Sequence, residues 1–272
     1  MDLTAIHLLH PLAVALLMLV LMAGAIELGY RVGLRTRRRS GDPEAIAKRD
    51  VTLGALLALL GLLLAFTYSF SLSRADLRKE ALLTEANALG TAFLRADLAS
   101  EPARTVLRQA LYEYARTRVV DDTDVSATQT FAATVERSEE KQRALWPAVK
   151  AVLADDPPGP LANALVQAVT EVLDLHATRV ARFTDRLPMV VFWLLVLVTA
   201  AALAVAAHNA GLAGHISRTR MGAFAVVLSA LIAVIIDFDQ PQRGAIVISQ
   251  APLARTVTAM ADELAAADMR PD

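Results

Sequence analysis

Charged residues stand at the ends of the long apolar segments of this sequence, where they are the first candidates for a functional site. Carboxylates and guanidinium groups at a membrane boundary are costly to bury alone, so they pair with each other or line water. If they pair, they would clamp the helices that carry them. If they surround an opening, they would form the mouth of an ion path. A ligand pocket is a third interpretation. These residues are Arg74, Asp76, Arg78, Asp185, Arg186, Asp237, Asp239 and Arg243.

Two other residues could do chemistry, and for both a structural role is favoured. Glu27 is an acid inside an apolar segment, four residues before Arg31. It could relay protons or ions, but an i,i+4 pair with Arg31 that lifts the carboxylate to the membrane surface is the simpler interpretation. His176 falls in an apolar helical stripe and is interpreted as a helix-contact residue rather than a ligand.

Enzyme chemistry is not indicated by this composition. The chain has no cysteine and five mostly isolated histidines, with neither a Gly-rich phosphate loop nor a Ser-His-Asp set. These features argue against thiolate catalysis, a metal site and nucleophilic catalysis. The 27 basic and 28 acidic residues are nearly balanced, which argues against a nucleic-acid partner. We therefore predict no enzyme activity, no cofactor, no metal and no nucleic acid.

Four apolar segments are long enough to cross a membrane, which needs roughly 20 mainly apolar residues. They cover residues 8–28, 51–73, 187–207 and 221–236, in a chain that is 55% hydrophobic with a mean hydropathy of +0.44. The end of the second segment is polar (Thr67, Tyr68, Ser69, Ser71, Ser73), so it could hydrogen-bond between helices or line a hydrated vestibule.

Helical periodicity continues beyond the second segment. Leu82, Ala86, Leu89, Phe93 and Ala96 recur at spacings of four and three residues. This stripe predicts one long helix that includes the second span and ends near residues 100–102. Three further helices are predicted. The first covers residues 102–118, and the second ends at about residue 154 with a bend at Pro147. The third begins at about residue 161 and continues directly into the third span. A capped turn is predicted at residues 121–124, and the strongest break at residues 155–160.

These elements predict an all-α integral membrane protein, with four transmembrane helices and a helical extramembrane bundle between the second and third. Residues 1–73 would form a first transmembrane hairpin with a basic loop, and residues 74–186 the helical extramembrane region. Residues 187–238 would form a second transmembrane hairpin, and residues 239–272 a polar C-terminal tail with an amphipathic helix.

The basic residues of the short loops predict the orientation. Arg218 and Arg220 lie between the third and fourth spans. Between the first and second spans lie Arg31, Arg35, Arg37, Arg38, Arg39, Lys48 and Arg49. The positive-inside rule assigns both loops to the cytoplasm. The N-terminus and the middle region would then be extracytoplasmic, in a multi-pass protein of the bacterial inner (plasma) membrane.

Five short runs of sequence stand out as a set. The most specific one contains Glu85, Asn87, Gly90 and Arg95; the others cover residues 61–67, 185–188, 236–241 and 249–253. Together they resemble the bestrophin-like domain family of bacterial membrane proteins, which is distantly similar to the bestrophins, a group of oligomeric anion channels. The resemblance implies a shared architecture. It does not imply the ion selectivity, because bestrophins have an aromatic-rich neck and only Phe66, Tyr68 and Phe70 are similar here.

Two functions remain open on this basis. The leading one is a homo-oligomeric ion channel or transport-related protein of unknown selectivity, whose long second helices pack around an axis. Its partners would be the lipid bilayer, other copies of the chain and inorganic ions. The alternative is a structural or sensory membrane protein whose extramembrane bundle binds a partner.

Overall fold

The structure, a computed structural model, describes residues 11–39, 52–119, 127–155, 159–240 and 248–269. Within these ranges the chain forms eight α-helices and no strand, so the all-α prediction is confirmed. The helices are α1 (Pro11–Arg39), α2 (Thr52–Ala96), α3 (Ala103–Arg118), α4 (Ala127–Asp155), α5 (Pro160–Thr184), α6 (Met189–Ala213), α7 (Arg218–Asp239) and α8 (Ala251–Asp268).

Four of the described segments are long and apolar enough to cross a membrane, in agreement with the number predicted. They lie in α1, in α2, in the segment formed by α5 and α6, and in α7. The predicted long helix is also confirmed, because α2 runs for 45 residues without interruption. Pro147 lies inside α4, which continues on both sides of it. The turn predicted at residues 121–124 lies outside the described residues.

The predicted continuity between α5 and the third span is wrong. α5 ends at Thr184, where the Asp185 N–H donates to the Ala181 carbonyl, and α6 begins at Met189 after Pro188. Proline has no N–H to donate and disfavours helical geometry in the residue before it. The chain therefore leaves the helix over residues 185–188 and starts a new one.

The described residues group into two compact units, and the first lies within Met1–Ala75 and Arg186–Ile246. In it α1 packs on α6 and α7, and α6 contacts α7. Gly29 and Gly33 of α1 lie against the carbonyl groups of Ala204 and His208 in α6. A side chain at either glycine would collide with this backbone. Small residues at such positions let two membrane helices touch along their backbones.

The second unit lies within Asp76–Asp185 and Val247–Asp272. Here α3 packs on α4 and α8, and α4 packs on α5. All five residues of the predicted α2 stripe are buried in this core. Leu253 and Met260 of α8 are buried in the same core. The helix predicted in the C-terminal tail, α8, therefore contributes to the core of this unit.

Candidate functional site

Asp239 connects three segments at one end of the first unit. Its Oδ1 accepts a hydrogen bond of 2.8 Å from the Leu187 N–H and lies 3.8 Å from Nη1 of Arg74. The end of the second span, the start of α6 and the end of α7 therefore meet at this carboxylate. The sequence predicted that these three ends lie on the same side of the membrane, and this geometry agrees.

Several polar atoms near this carboxylate are buried without a hydrogen-bond partner in the described part of the chain. They are Oδ2 of Asp239, both polar atoms of the Gln240 amide, and Oγ of Ser71, one turn before Arg74 on α2. An unsatisfied buried polar group costs about 1–3 kcal/mol. Water, an ion or another chain would remove this cost. Ser71, Arg74, Asp239 and Gln240 are referred to below as the Asp239 site.

The other residues of the predicted charged cluster have different environments. Arg78 is 1% exposed and donates to the backbone carbonyls of Arg182, at 3.1 Å, and Asp185, at 2.6 Å. It thereby satisfies carbonyl groups at the C-terminal end of α5, which is a structural role. Asp237 is buried, Arg186 is half-buried, and Asp76 and Asp185 are exposed. Arg243 lies outside the described residues.

A buried network of charges lies in the second unit around Glu85, which is 0% exposed. Its carboxylate accepts hydrogen bonds from Nε of Arg118 at 2.7 Å and from Nη1 of Arg179 at 2.6 Å. Four further side chains complete what we call the Glu85 network. Tyr114 and His176 are hydrogen-bonded to each other at 2.9 Å, Ser138 accepts from Arg118, and Gln250 accepts from Arg179.

The electrostatics of this network keep its carboxylate ionised and its histidine neutral. Burial raises the pKa of the Glu85 carboxyl, but Arg118 and Arg179 together outweigh burial and hold that pKa below its ordinary value. Burial, helped by Arg118, lowers the pKa of His176 to about 4. Burial also raises the pKa of the Tyr114 phenol, which stays protonated. Two guanidinium groups thus share one carboxylate in the interior.

The remaining predicted residues have mainly structural surroundings. Glu27 Oε1 accepts a 2.7 Å hydrogen bond from Nε of Arg31, and both side chains are exposed, so the predicted i,i+4 pair is confirmed. Arg95 donates to the Ala164 carbonyl at 2.9 Å. Asn87 is exposed and Gly90 half-buried. Within the described ranges, no group of three or more potential ligands could hold a metal ion.

Sequence reasoning singled out Glu85 but missed the arginines that bind it. The signal for Arg179 was present, because Val172, His176, Arg179 and Phe183 recur at spacings of four, three and four residues and are all buried. Val180, which also lies four residues after His176, continues the same stripe with an apolar side chain, and an arginine is rarely placed in such a stripe. Arg118 is the last residue of α3. A cation at this position is usually explained by its favourable interaction with the helix dipole.

The Bestrophin-like domain matches this sequence over residues 9–253. The chain belongs to the Bestrophin-like domain family. It is a bestrophin-like membrane protein with four candidate spans, and the family predicted from its motifs is confirmed.

Solved structures agree with this assignment at the level of the fold. The bestrophin-like chain is similar to a bacterial bestrophin homologue from Klebsiella pneumoniae with a TM-score of 0.64 and 12% identity, over 93% of this chain and 98% of that one. A mutated form of the K. pneumoniae homologue matches with a TM-score of 0.62 and 11% identity, over 90% and 99%. No curated protein matches the chain.

Proposed function

We propose that this bestrophin-like protein is a homo-oligomeric ion channel or transport-related protein, and that the Asp239 site lines its hydrated mouth. The bestrophin-like fold suggests an ion-channel family. The observation that carries the proposal is the set of buried polar atoms of Ser71, Asp239 and Gln240 that have no partner in the described part of the chain. Water and passing ions would supply the missing interactions.

Self-association is supported by the exposure of α2. In the most apolar stretch of α2 only 11% of the residues are buried, compared with 44% in α7. Exposed large side chains on this span include Leu62, Phe66 and Phe70. Lipid could cover them, but the same helix carries Ser71 and Arg74 at its polar end. Packing of α2 against other copies around an axis would bring several Asp239 sites to one opening.

An extramembrane position of the second unit is supported by the length of α2. Its 45 residues extend over roughly 68 Å, more than twice the ~30 Å hydrocarbon core of a bilayer. The part that follows residue 73 would therefore leave the membrane with its charged side chains. We propose that residues 74–186 form a helical extramembrane bundle between the transmembrane hairpins of residues 1–73 and 187–238. α8, within residues 239–272, would join this bundle.

Reporter fusions should give the orientation of this bundle. The basic loops favour an inner membrane protein whose N-terminus and middle region are extracytoplasmic. A reporter that is active only outside the cytoplasm should work when fused after Ala154 and fail when fused after Gly41. The opposite pattern would reverse the orientation and leave the number of spans unchanged.

Replacing Asp239 with asparagine should change the ion preference of the channel. Asparagine keeps an oxygen that can accept from the Leu187 N–H, so folding should be retained. The substitution removes a negative charge beside Arg74, which should disfavour cations relative to anions. In reconstituted vesicles, we expect the ratio of K⁺ flux to Cl⁻ flux to fall several-fold relative to the wild type.

The matched control for this variant is Asp174→Asn, which removes an exposed carboxylate of α5 and should leave the flux ratio unchanged. Electron microscopy of the same preparations should reveal particles with rotational symmetry and an axial opening. The channel would be rejected if the particles are monomers, or if the ion flux into vesicles with the protein does not exceed the flux into vesicles without it. That result would favour the structural or sensory function.

A further inference from the structure

The loop between α6 and α7 borders a cavity of about 320 Å³ that both polar and apolar side chains line. The polar ones belong to His215, Ser217 and Arg220. The apolar ones include those of Ala213, Ile216 and Met221. All of these residues belong to the first unit and lie where two apolar helices end and begin. The cavity therefore combines apolar walls with groups that can bind an anion.

A third helix adds positive charge to this cavity region. The guanidinium group of Arg37, in the last turn of α1, lies against Gly214 in the α6–α7 loop. Gly214 has a φ of +83°, in the left-handed region, and any side chain there would collide with the guanidinium group. The absence of a Cβ atom thus leaves room for an α1 arginine at the loop that borders the cavity.

This end of the first unit is strongly basic. Residues 28–39 and 205–222 contain nine arginines or histidines and no Asp or Glu. They are Arg31, Arg35, Arg37, Arg38, Arg39, His208, His215, Arg218 and Arg220. Within the described part of the chain, no carboxylate forms a salt bridge with Arg37, Arg218 or Arg220. Among the described residues, therefore, no carboxylate neutralises their charge.

We propose that the cavity at the α6–α7 loop binds the headgroup of an anionic phospholipid. Arg220 and Arg37 would contact the phosphate through charge-assisted hydrogen bonds. The apolar wall formed by Ala213, Ile216 and Met221 would pack against the glycerol and the upper acyl chains. Basic pockets between membrane helices are suited to such headgroups. A free phosphate ion would use the arginines but gain nothing from the apolar wall.

The positive-inside rule explains the arginines of these loops without any bound lipid. It depends on the number of basic residues, however, and not on a cavity that borders them. If the cavity is a specific site, substitution of its arginines should weaken lipid binding more than substitution of other arginines of equal charge. The proposal is independent of ion conduction, because it concerns only this end of the first unit.

Binding of phosphatidylglycerol to the purified full-length protein tests the proposal. Native mass spectrometry in detergent should detect more retained phosphatidylglycerol than phosphatidylcholine with the same acyl chains. Arg220→Gln should weaken retention of phosphatidylglycerol about fivefold, the change that corresponds to ~1 kcal/mol for one basic residue near a membrane surface. Arg37→Gln should have a similar effect. Neither substitution should alter retention of phosphatidylcholine.

The control is Arg255→Gln, which removes an exposed arginine of α8 in the second unit and should leave retention of both lipids unchanged. If this control loses as much phosphatidylglycerol as the other two variants, the lipid is attracted by the overall charge of the protein, and the proposed site is overturned. Equal retention of the two lipids by the wild type would also overturn the site. Complete displacement of phosphatidylglycerol by excess inorganic phosphate would identify free phosphate as the ligand and reject the lipid.

Discussion

Replacing Glu85 with glutamine should lower the free energy of unfolding of the second unit by about 3–5 kcal/mol, the range measured when one partner of a buried ion pair is removed. Glutamine has almost the same shape, so packing would change little. The loss would come from Arg118 and Arg179, which would remain buried without a counter-charge. Thermal unfolding of the purified protein, followed by circular dichroism, would measure it.

Two comparisons make this result specific. Glu80→Gln alters an exposed residue of the same helix and should change stability by less than about 0.5 kcal/mol. Combining Glu85→Gln with Arg118→Met and Arg179→Met should recover much of the loss, because an apolar replacement of a whole buried ion-pair network is often neutral or stabilising. If Glu85→Gln melts at the wild-type temperature, the carboxylate does not balance the two arginines.

Replacing Gly33 with leucine should destabilise the first unit by about 3 kcal/mol, at the upper end of the range for overpacking. The new side chain would point at the His208 carbonyl of α6, and a backbone segment cannot move aside as a flexible side chain can. α1 and α6 would have to separate. Because a Cβ atom at Gly211 of α6 would also collide with the backbone of α1, the contact is tight from both sides. Thermal unfolding in detergent would measure the effect.

Gly24→Leu is the matched control on the same helix. A Cβ atom at Gly24 meets nothing within 4 Å, and the helix-propensity gain is the same at both positions. The control should therefore be neutral or slightly stabilising. Equal melting temperatures for the two leucine variants would mean that α1 and α6 are not in backbone contact.

The two buried polar clusters differ in how completely their atoms are paired. In the Glu85 network both carboxylate oxygens accept hydrogen bonds from guanidinium groups. In the Asp239 site, Oδ2 of Asp239 and the amide of Gln240 have no partner in the described part of the chain. A fully paired network rigidifies a core, whereas unpaired polar atoms at the end of membrane helices are suited to contact with water or ions. Substitutions in the Asp239 site should therefore change ion flux, whereas substitutions in the Glu85 network should change the free energy of unfolding.

The sequence by itself determined the number of spans and, for α2, both the length of the helix and the face that it buries. Twenty apolar residues in succession are sufficient to indicate a span, and the α2 stripe from Leu82 to Ala96 follows the 3.6-residue period of a helix. Both patterns arise from local physical constraints, namely the thickness of a bilayer and the pitch of a helix. The family, too, could be identified from short motifs in the chain.

Only the tertiary structure decided which side chains meet. Glu85 binds Arg118 and Arg179, which are 33 and 94 residues away, and Arg74 of α2 lies beside Asp239 of α7. The sequence offers many arginines of equal charge, and Coulomb attraction alone does not distinguish among them. The choice depends on how the helices pack, because packing fixes where each side chain ends. Helical periodicity is a property of neighbouring residues, whereas pairing is a property of the assembled helices.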